Sequence, residues 1–345
     1  MSFLTFKITA DGLEVLNLEM ISPNSSLSVE VPAGSRYCLI AWCSVVLLVG
    51  ISGNILILSA SMRYKVIRLN RVSVTLIKNI ALSDLGAAVF VIHPPLVSLI
   101  YRKWPYGRTF CLLFHYMQVP IVQSAELLIC ALNISKLTTL IYPLRSLCRS
   151  RESAYKISAL IWILSASFPS VQLIVDMQDV YYDHLLHRCV YSYRAPVWDT
   201  LLPLLSLALV ALPNLIVLCT SIALLVWVKK CTGRTNKQGV LTALYVGFVY
   251  LVAFVPLGMY TLYKGIADHL TPDVKAFFSV HVFMLAYFAI FINAMSNPFV
   301  YYVSIKSFNA FVKRGILYWT SKISASSSRK TIISLTVNNL KSTTF

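Results

Sequence analysis

Two carboxylates stand where water cannot easily follow. Asp84 falls within the apolar stretch 72–101, and Glu126 within the apolar stretch 111–141. A carboxylate so placed is costly and marks an ion or proton pathway, or else a hydrogen-bonded structural acid. Other candidate chemistry is sparse. No nucleophile–base set or phosphate-cradling loop accompanies these acids, so an enzyme is not indicated. The eight cysteines contain no CxxC pair, which argues against a zinc site. Cys38, Cys43, Cys130 and Cys219 lie in apolar runs and read as small buried hydrophobes.

The elements that must hold these acids follow from composition. Of 345 residues, 57% are hydrophobic and 12% charged, against about 25% charged in a soluble domain. The apolar residues gather into runs of about 20 or more, enough to cross a hydrocarbon layer of about 30 Å. Seven spans are expected at 37–62, 72–101, 111–141, 157–176, 197–228, 240–263 and 277–303. The fold class is therefore an all-α membrane protein, a seven-transmembrane helix bundle. Gly53, Pro169, Pro213, Pro256 and Pro298 read as helix-breaking residues, tolerated in a membrane where neighbours satisfy the freed backbone.

Orientation comes from charge. The segments after spans one, three, five and seven, with the adjoining helix ends, carry 21 of the 30 Lys and Arg and a single acid, Glu152. Cationic loops stay cytoplasmic, so the N-terminus lies outside and the C-terminus inside. The same layout accounts for the net charge of +17 without nucleic acid. Residues 1–36 form an extracellular segment with a glycosylation acceptor at Asn24-Ser25-Ser26. They lack the pattern of a cleaved signal peptide, so the first span is expected to serve as the targeting signal. Residues 37–303 form the membrane domain. Residues 304–320 form a short amphipathic cytoplasmic helix after helix seven, with Phe308, Phe311, Ile316 and Leu317 recurring among Lys306, Lys313 and Arg314. It is expected to lie on anionic membrane lipids. Residues 321–345 read as a disordered tail. Cys148 and Cys231 fall in reducing cytoplasmic loops, Cys111 and Cys189 on the oxidising side.

The landmarks along the spans are Gly53-Asn54; Asn79-Ile80-Ala81-Leu82-Ser83-Asp84; Trp104-Pro105-Tyr106-Gly107 before Cys111; Tyr142-Pro143-Leu144; Trp162; Pro213; Phe254-Val255-Pro256; and Asn297-Pro298-Phe299-Val300-Tyr301. Together, in this order, they resemble the rhodopsin-like G-protein-coupled receptors, and the resemblance covers all seven helices. It implies a sodium cluster of Asp84, Asn293 and Asn297. The helix-three hydroxyl that usually completes it is replaced by Ala125, with Ser124 beside it, which predicts weak sodium binding or none. No other metal or cofactor is expected. The resemblance also implies a Cys111–Cys189 disulfide, the alternative being two unpaired thiols. It implies that helix six swings outward near Pro256 on activation and that Tyr301 turns inward. Phe254 stands where a Trp is usual. For any single proline the alternative is a static kink.

Departures from the family pattern fall at the inner end of helix three and at mid-membrane. Ser135-Lys136-Leu137 replaces Asp-Arg-Tyr, so Lys136 keeps the cation for G-protein coupling but loses the guanidinium fork. Without an acidic restraint, basal activity is expected to rise; with a poor substitute for Arg, coupling is expected to weaken. Ser221 stands where helix five usually carries a partner tyrosine, which favours weak coupling. Glu126 lies about 22 Å below Cys111 along the helix, where an aliphatic residue is usual. It is expected either to bond Tyr250 as a switch or to be a neutral buried acid with no such role.

By resemblance, an extracellular ligand enters between helices three, five, six and seven. The facing positions are Gln118, Val119, Val122, Leu205, Leu257, Thr261, Tyr287 and Phe291, unless these are packing residues only. Gln118 in place of an acid disfavours a biogenic amine, and the absence of a helix-seven Lys disfavours retinal. The apolar lining suits a neutral or lipid-like molecule or an apolar peptide end. The implied partner is a heterotrimeric G protein at the plasma membrane. Arrestin could read the tail serines and threonines, and a PDZ domain Thr343-Thr344-Phe345. A decoy or scaffold with weak coupling is the alternative. A transporter is disfavoured by the lack of internal repeats.

Overall fold

The computed structural model describes residues 7–9, 12–14, 33–62, 69–142, 150–175, 177–183, 188–193, 196–230, 237–266, 288–318 and 320–321. Helices dominate: α1 (Ala33–Met62), α2 (Arg71–Ala87), α3 (His93–Tyr101), α4 (Gly107–Ile141), α5 (Arg151–Val175), α6 (Pro196–Lys230), α7 (Lys237–Ile266) and α8 (Phe291–Ser304). A ninth, α9, occupies 306–318. By length and apolarity five of the described spans can cross a membrane unaided, α2 and α3 counting as one. The helix α5 and the seventh span, of which α8 is the inner part, complete the bundle. The outer part of the expected seventh span, 277–287, lies outside the described residues, as do the Asn24 triplet, Cys148, Cys231 and the tail from 322.

The second span is continuous but not uniformly α-helical. Pro94 and Pro95 cannot donate to carbonyls of the preceding turn. A π-helical turn, Ala88–Ile92, absorbs the mismatch, and the His93 N–H bonds the Ala88 carbonyl five residues back. At its inner end Asn70 caps the span, its Oδ1 accepting from the Ser73 N–H at 2.9 Å.

The fourth span begins earlier than the expected 157. Ser150 Oγ accepts from the Ser153 N–H at 3.0 Å, and Glu152 pairs with Lys156 at 2.7 Å along the first turn. Those charges read as loop in the sequence. Here they form a solvated helical overhang below the membrane-embedded part.

The distribution of polarity is inverted relative to a water-soluble fold. Leu48, Phe248 and Val303 point outward, 73%, 67% and 71% exposed, while Asn54, Ser83, Asn133 and Asn297 are fully buried. Lipid exerts no hydrophobic push between helices, so close packing and interhelical hydrogen bonds must hold them together. Asn54 Nδ2 donates to the Ala294 carbonyl at 2.8 Å, joining α1 to α8. Trp162 Nε1 donates to Asn79 Oδ1 at 3.3 Å, joining α5 to α2. Thr242 Oγ1 donates to Ser304 Oγ at 3.0 Å, joining α7 to α8. Gly53, expected as a helix-breaking position, lies within regular helix and has a packing role instead. A Cβ there would lie 2.3 Å from Pro298 Cγ, so α1 approaches α8 only because the side chain is missing.

Two short antiparallel hairpins add to the helices, β1 (Lys7–Thr9) with β2 (Gly12–Glu14), and β3 (Met177–Asp183) with β4 (Arg188–Tyr193). Both lie outside the spans. In α9, Phe308 is buried against the bundle, whereas Ile316 and Leu317 are exposed beside Lys313 and Arg314. Phe308 anchors the helix to the bundle, and the later apolar pair is left uncovered by protein.

Candidate functional site

The second and seventh spans bring Asp84 and Asn297 together. Asn297 Nδ2 donates to Asp84 Oδ2 at 2.7 Å, and both residues are buried. Pro298 follows Asn297 directly and frees a carbonyl in the preceding turn of α8. Asn293 is buried one turn earlier, with Oδ1 lacking a hydrogen-bond partner. On the facing side, Ser83 Oγ donates to the Ile121 carbonyl at 2.6 Å and lies 3.1 Å from Ser124 Oγ. This serine pair ties the second span to α4 beside Pro120, a proline inside α4. Ser83 was legible only as part of a motif, and Pro120 gave no signal because α4 continues through it.

A narrow cavity opens against this cluster. Asp84, Asn293 and Ala125 line one part of it, Val122, Phe254 and Phe291 another. The donor set fits a small hard cation only in part. Asp84, Ser83 and the unpaired Asn293 Oδ1 offer oxygens, Ser124 is not among the residues lining the cavity, and Ala125 offers none. A sodium ion here would need water for most of its shell. Among the described residues no group of three or more His, Cys, Asp or Glu could hold a metal ion.

The expected ligand-facing residues are differently placed. Val122 and Phe291 share the cavity with Asp84. Leu257 is buried, Gln118 and Val119 are half-buried along α4, and Leu205 is exposed on α6. Tyr287 and the Thr261 side chain lie outside the described residues. Below the cavity, Phe254 stacks on Tyr250 with ring centroids 4.8 Å apart. Pro256 faces outward from α7, and the fully buried Tyr301 has an unpartnered hydroxyl.

Glu126 is 1% exposed in α4. The expected hydrogen bond to Tyr250 is not formed: the Tyr250 hydroxyl and Glu126 Oε2 are both buried without partners. Cys130, one turn below Glu126, donates instead to the Pro213 carbonyl at 3.6 Å.

At the inner end, Lys136 is not the unrestrained cation that the sequence suggested. It is 6% exposed, and its Nζ lies 3.4 Å from Asn70 Oδ1, the residue that caps the second span. No acid pairs with it among the described residues. Asn133, one turn earlier, donates to Ser221 Oγ on α6 at 3.2 Å. The Tyr142 N–H closes α4 on the Thr138 carbonyl, while Pro143 and Leu144 lie outside the described residues.

At the outer end, Cys111 is disulfide-bonded. Cys189 sits in β4 opposite Tyr182, its side chain outside the described residues, and β4 packs against α4. Trp104 meets Tyr106 and Phe114 edge-on, with centroids 5.2 and 5.7 Å away. The Tyr106 hydroxyl lies 3.3 Å from His93 Nε2, and burial pushes its titration upward. These aromatics make a firm wall at the top of the second and third spans.

The family model described as 7 transmembrane receptor (rhodopsin family) matches residues 53–301. The chain is 23% identical to the pyroglutamylated RF-amide peptide receptor of Rattus norvegicus, over 87% of this chain and 75% of that one. It is 22% identical to the QRFP-like peptide receptor of Branchiostoma floridae, over 81% and 77%. It is 23% identical to the RYamide receptor of Tribolium castaneum, over 86% and 85%.

Proposed function

Because this chain belongs to the rhodopsin family of seven-transmembrane receptors, a family of receptors rather than enzymes, we propose that it is a peptide-activated receptor of the plasma membrane. Its N-terminus lies outside, with Asn24 glycosylated, and its signal passes to a heterotrimeric G protein. The relatives are named for peptide ligands, and this favours a peptide over the lipid-like molecule that the apolar lining also suits. The observation that carries the reading is the cavity itself. It joins Val122 and Phe291, expected on the ligand path, to Asp84, Asn293 and Phe254, expected in activation. The cavity is too small to admit an aromatic ring, so an aromatic, amide-capped peptide end would seat above it, where the carboxamide of Gln118 can pair with a terminal amide.

A weak sodium ion at Asp84 and Asn293 would stabilise the resting arrangement by filling the space that the cavity must lose on activation. Arrestin at the tail serines and threonines, and a PDZ domain at Thr343-Thr344-Phe345, are the further partners proposed.

The test is a panel of C-terminally amidated peptides ending in Arg-Phe or Arg-Tyr, applied to cells expressing the chain at the surface, with G-protein dissociation as readout. Concentration-dependent dissociation that the free-acid peptides fail to produce supports the reading. Peptide binding without dissociation for any Gα class would instead support a decoy, the reading that Lys136 in place of Arg favours.

A further inference from the structure

The inner half of α7 carries small residues at four-residue spacing, Gly239, Ala243 and Gly247. Two of them lie against polar side chains of α4. A Cβ on Gly247 would fall 2.9 Å from Asn133 Nδ2, 2.9 Å from Ser221 Oγ and 3.2 Å from Val217 Cγ1. A Cβ on Gly239 would fall 3.0 Å from Lys136 Nζ and 3.3 Å from its Cε. Ala243 between them is fully buried. The polar atoms that these glycines meet are themselves joined to other helices: Asn133 to Ser221 on α6, and Lys136 to the Asn70 cap of the second span.

We propose that this fit of Gly239 and Gly247 onto Lys136 and the Asn133–Ser221 pair is the latch that holds the inner end of the sixth span closed. It works without an ion pair. The sequence offers no acid in the inner turns of α7 to restrain a cation, so closure here depends on how near the backbones come. Close approach buries the hydrogen bonds of Asn133 and Lys136 away from competing water, and there each is worth more. The bonds in turn hold those side chains in the positions that the missing Cβ atoms leave open. Moving α7 outward removes the cover from both at once, so the latch opens as a unit. Gly239 and Gly247 are positioning residues: they touch no ligand and set the spacing of the helices between which a G protein would insert.

The inference rests on the receptor reading for its consequence, though not for its geometry, and the two fail separately. Spin labels carried on keto side chains at positions 141 and 241 of the full chain in nanodiscs would report the α4–α7 distance by pulsed dipolar spectroscopy. Gly247→Ala is expected to shift the distance distribution outward without ligand. Asn133→Ala at an unchanged Gly247 is expected to shift it outward as well, since the bonded pair that the glycine covers is lost. An unmoved distribution in either variant overturns the latch. Nucleotide exchange on purified Gα, measured on the same samples, is expected to rise several-fold with the outward shift. An outward shift in both variants, but with exchange unchanged for every Gα class, leaves the latch standing and overturns the coupling claim.

Discussion

Asn297 donates a 2.7 Å hydrogen bond to Asp84 across a sequence separation of 213 residues, and this contact closes the second span on the seventh at mid-membrane. A buried carboxylate there is tolerable only while such a donor is present. Asn297→Ala removes it and should lower stability by about 1–3 kcal/mol, the cost of leaving a buried polar group unsatisfied. The check is the thermal midpoint of the purified protein. Asn297→Asp, which sets a second carboxyl beside the first, should do no better.

Packing of α1 on α8 gives a sharper prediction. A Cβ at Gly53 would lie 2.3 Å from one ring carbon of Pro298 and 2.7 Å from another. The proline ring cannot swing away, so Gly53→Ala should cost about 1–3 kcal/mol through overpacking. Gly315→Ala is the control, because nothing lies within 4 Å of a Cβ there. In a helix that change should be neutral or stabilising by about 0.5–1 kcal/mol. Equal losses of melting temperature in the two variants would contradict the packing account.

Much of this frame was legible in the sequence, for a reason specific to membranes. Apolar runs must span, cations mark the inner side, and a buried Asp, Asn or Pro is conspicuous against Leu and Val. Asp84, Asn297 and Lys136 stood out on that ground. The sequence was mute on spacing. Gly53 read as an interruption, and Gly247 drew no reading, until the atoms they approach were placed. Asn70 read as loop, since its side chain acquires a role only when Lys136 folds back onto it. The π-helical turn at Ala88–Ile92 is a backbone answer to Pro94 and Pro95, and no residue of that turn announces it. The hairpin bearing Cys189 was hidden because its pairing depends on partners distant from any apolar run.

Glu126 carries a prediction that runs against its prominence. Its Oε2 and the Tyr250 hydroxyl are buried without partners, and an unsatisfied buried polar group costs about 1–3 kcal/mol. Glu126→Leu should therefore leave the thermal midpoint unchanged or raise it, with peptide response intact. A loss of response at normal surface expression would restore Glu126 to a switching role.

At the outer end, Cys111→Ala removes the disulfide that anchors the top of α4. Cross-links of this kind contribute about 2–4 kcal/mol, so surface expression and thermal midpoint should both fall. The wild type in reducing agent should reproduce the fall, and insensitivity to reductant would contradict it.

The central claim is that an extracellular peptide, seated above Asp84, drives a G protein from the inner face. Its most direct test is Gα dissociation in cells expressing wild type beside Phe291→Ala, at matched surface levels, with an amidated peptide titrated over both. Wild type should give a saturable response and Phe291→Ala a right-shifted curve, since Phe291 lines the cavity directly beneath the seated peptide end. Wild-type dissociation with an unmoved Phe291→Ala curve would put the ligand elsewhere, and silence in wild type for every Gα class and every peptide would contradict the claim outright.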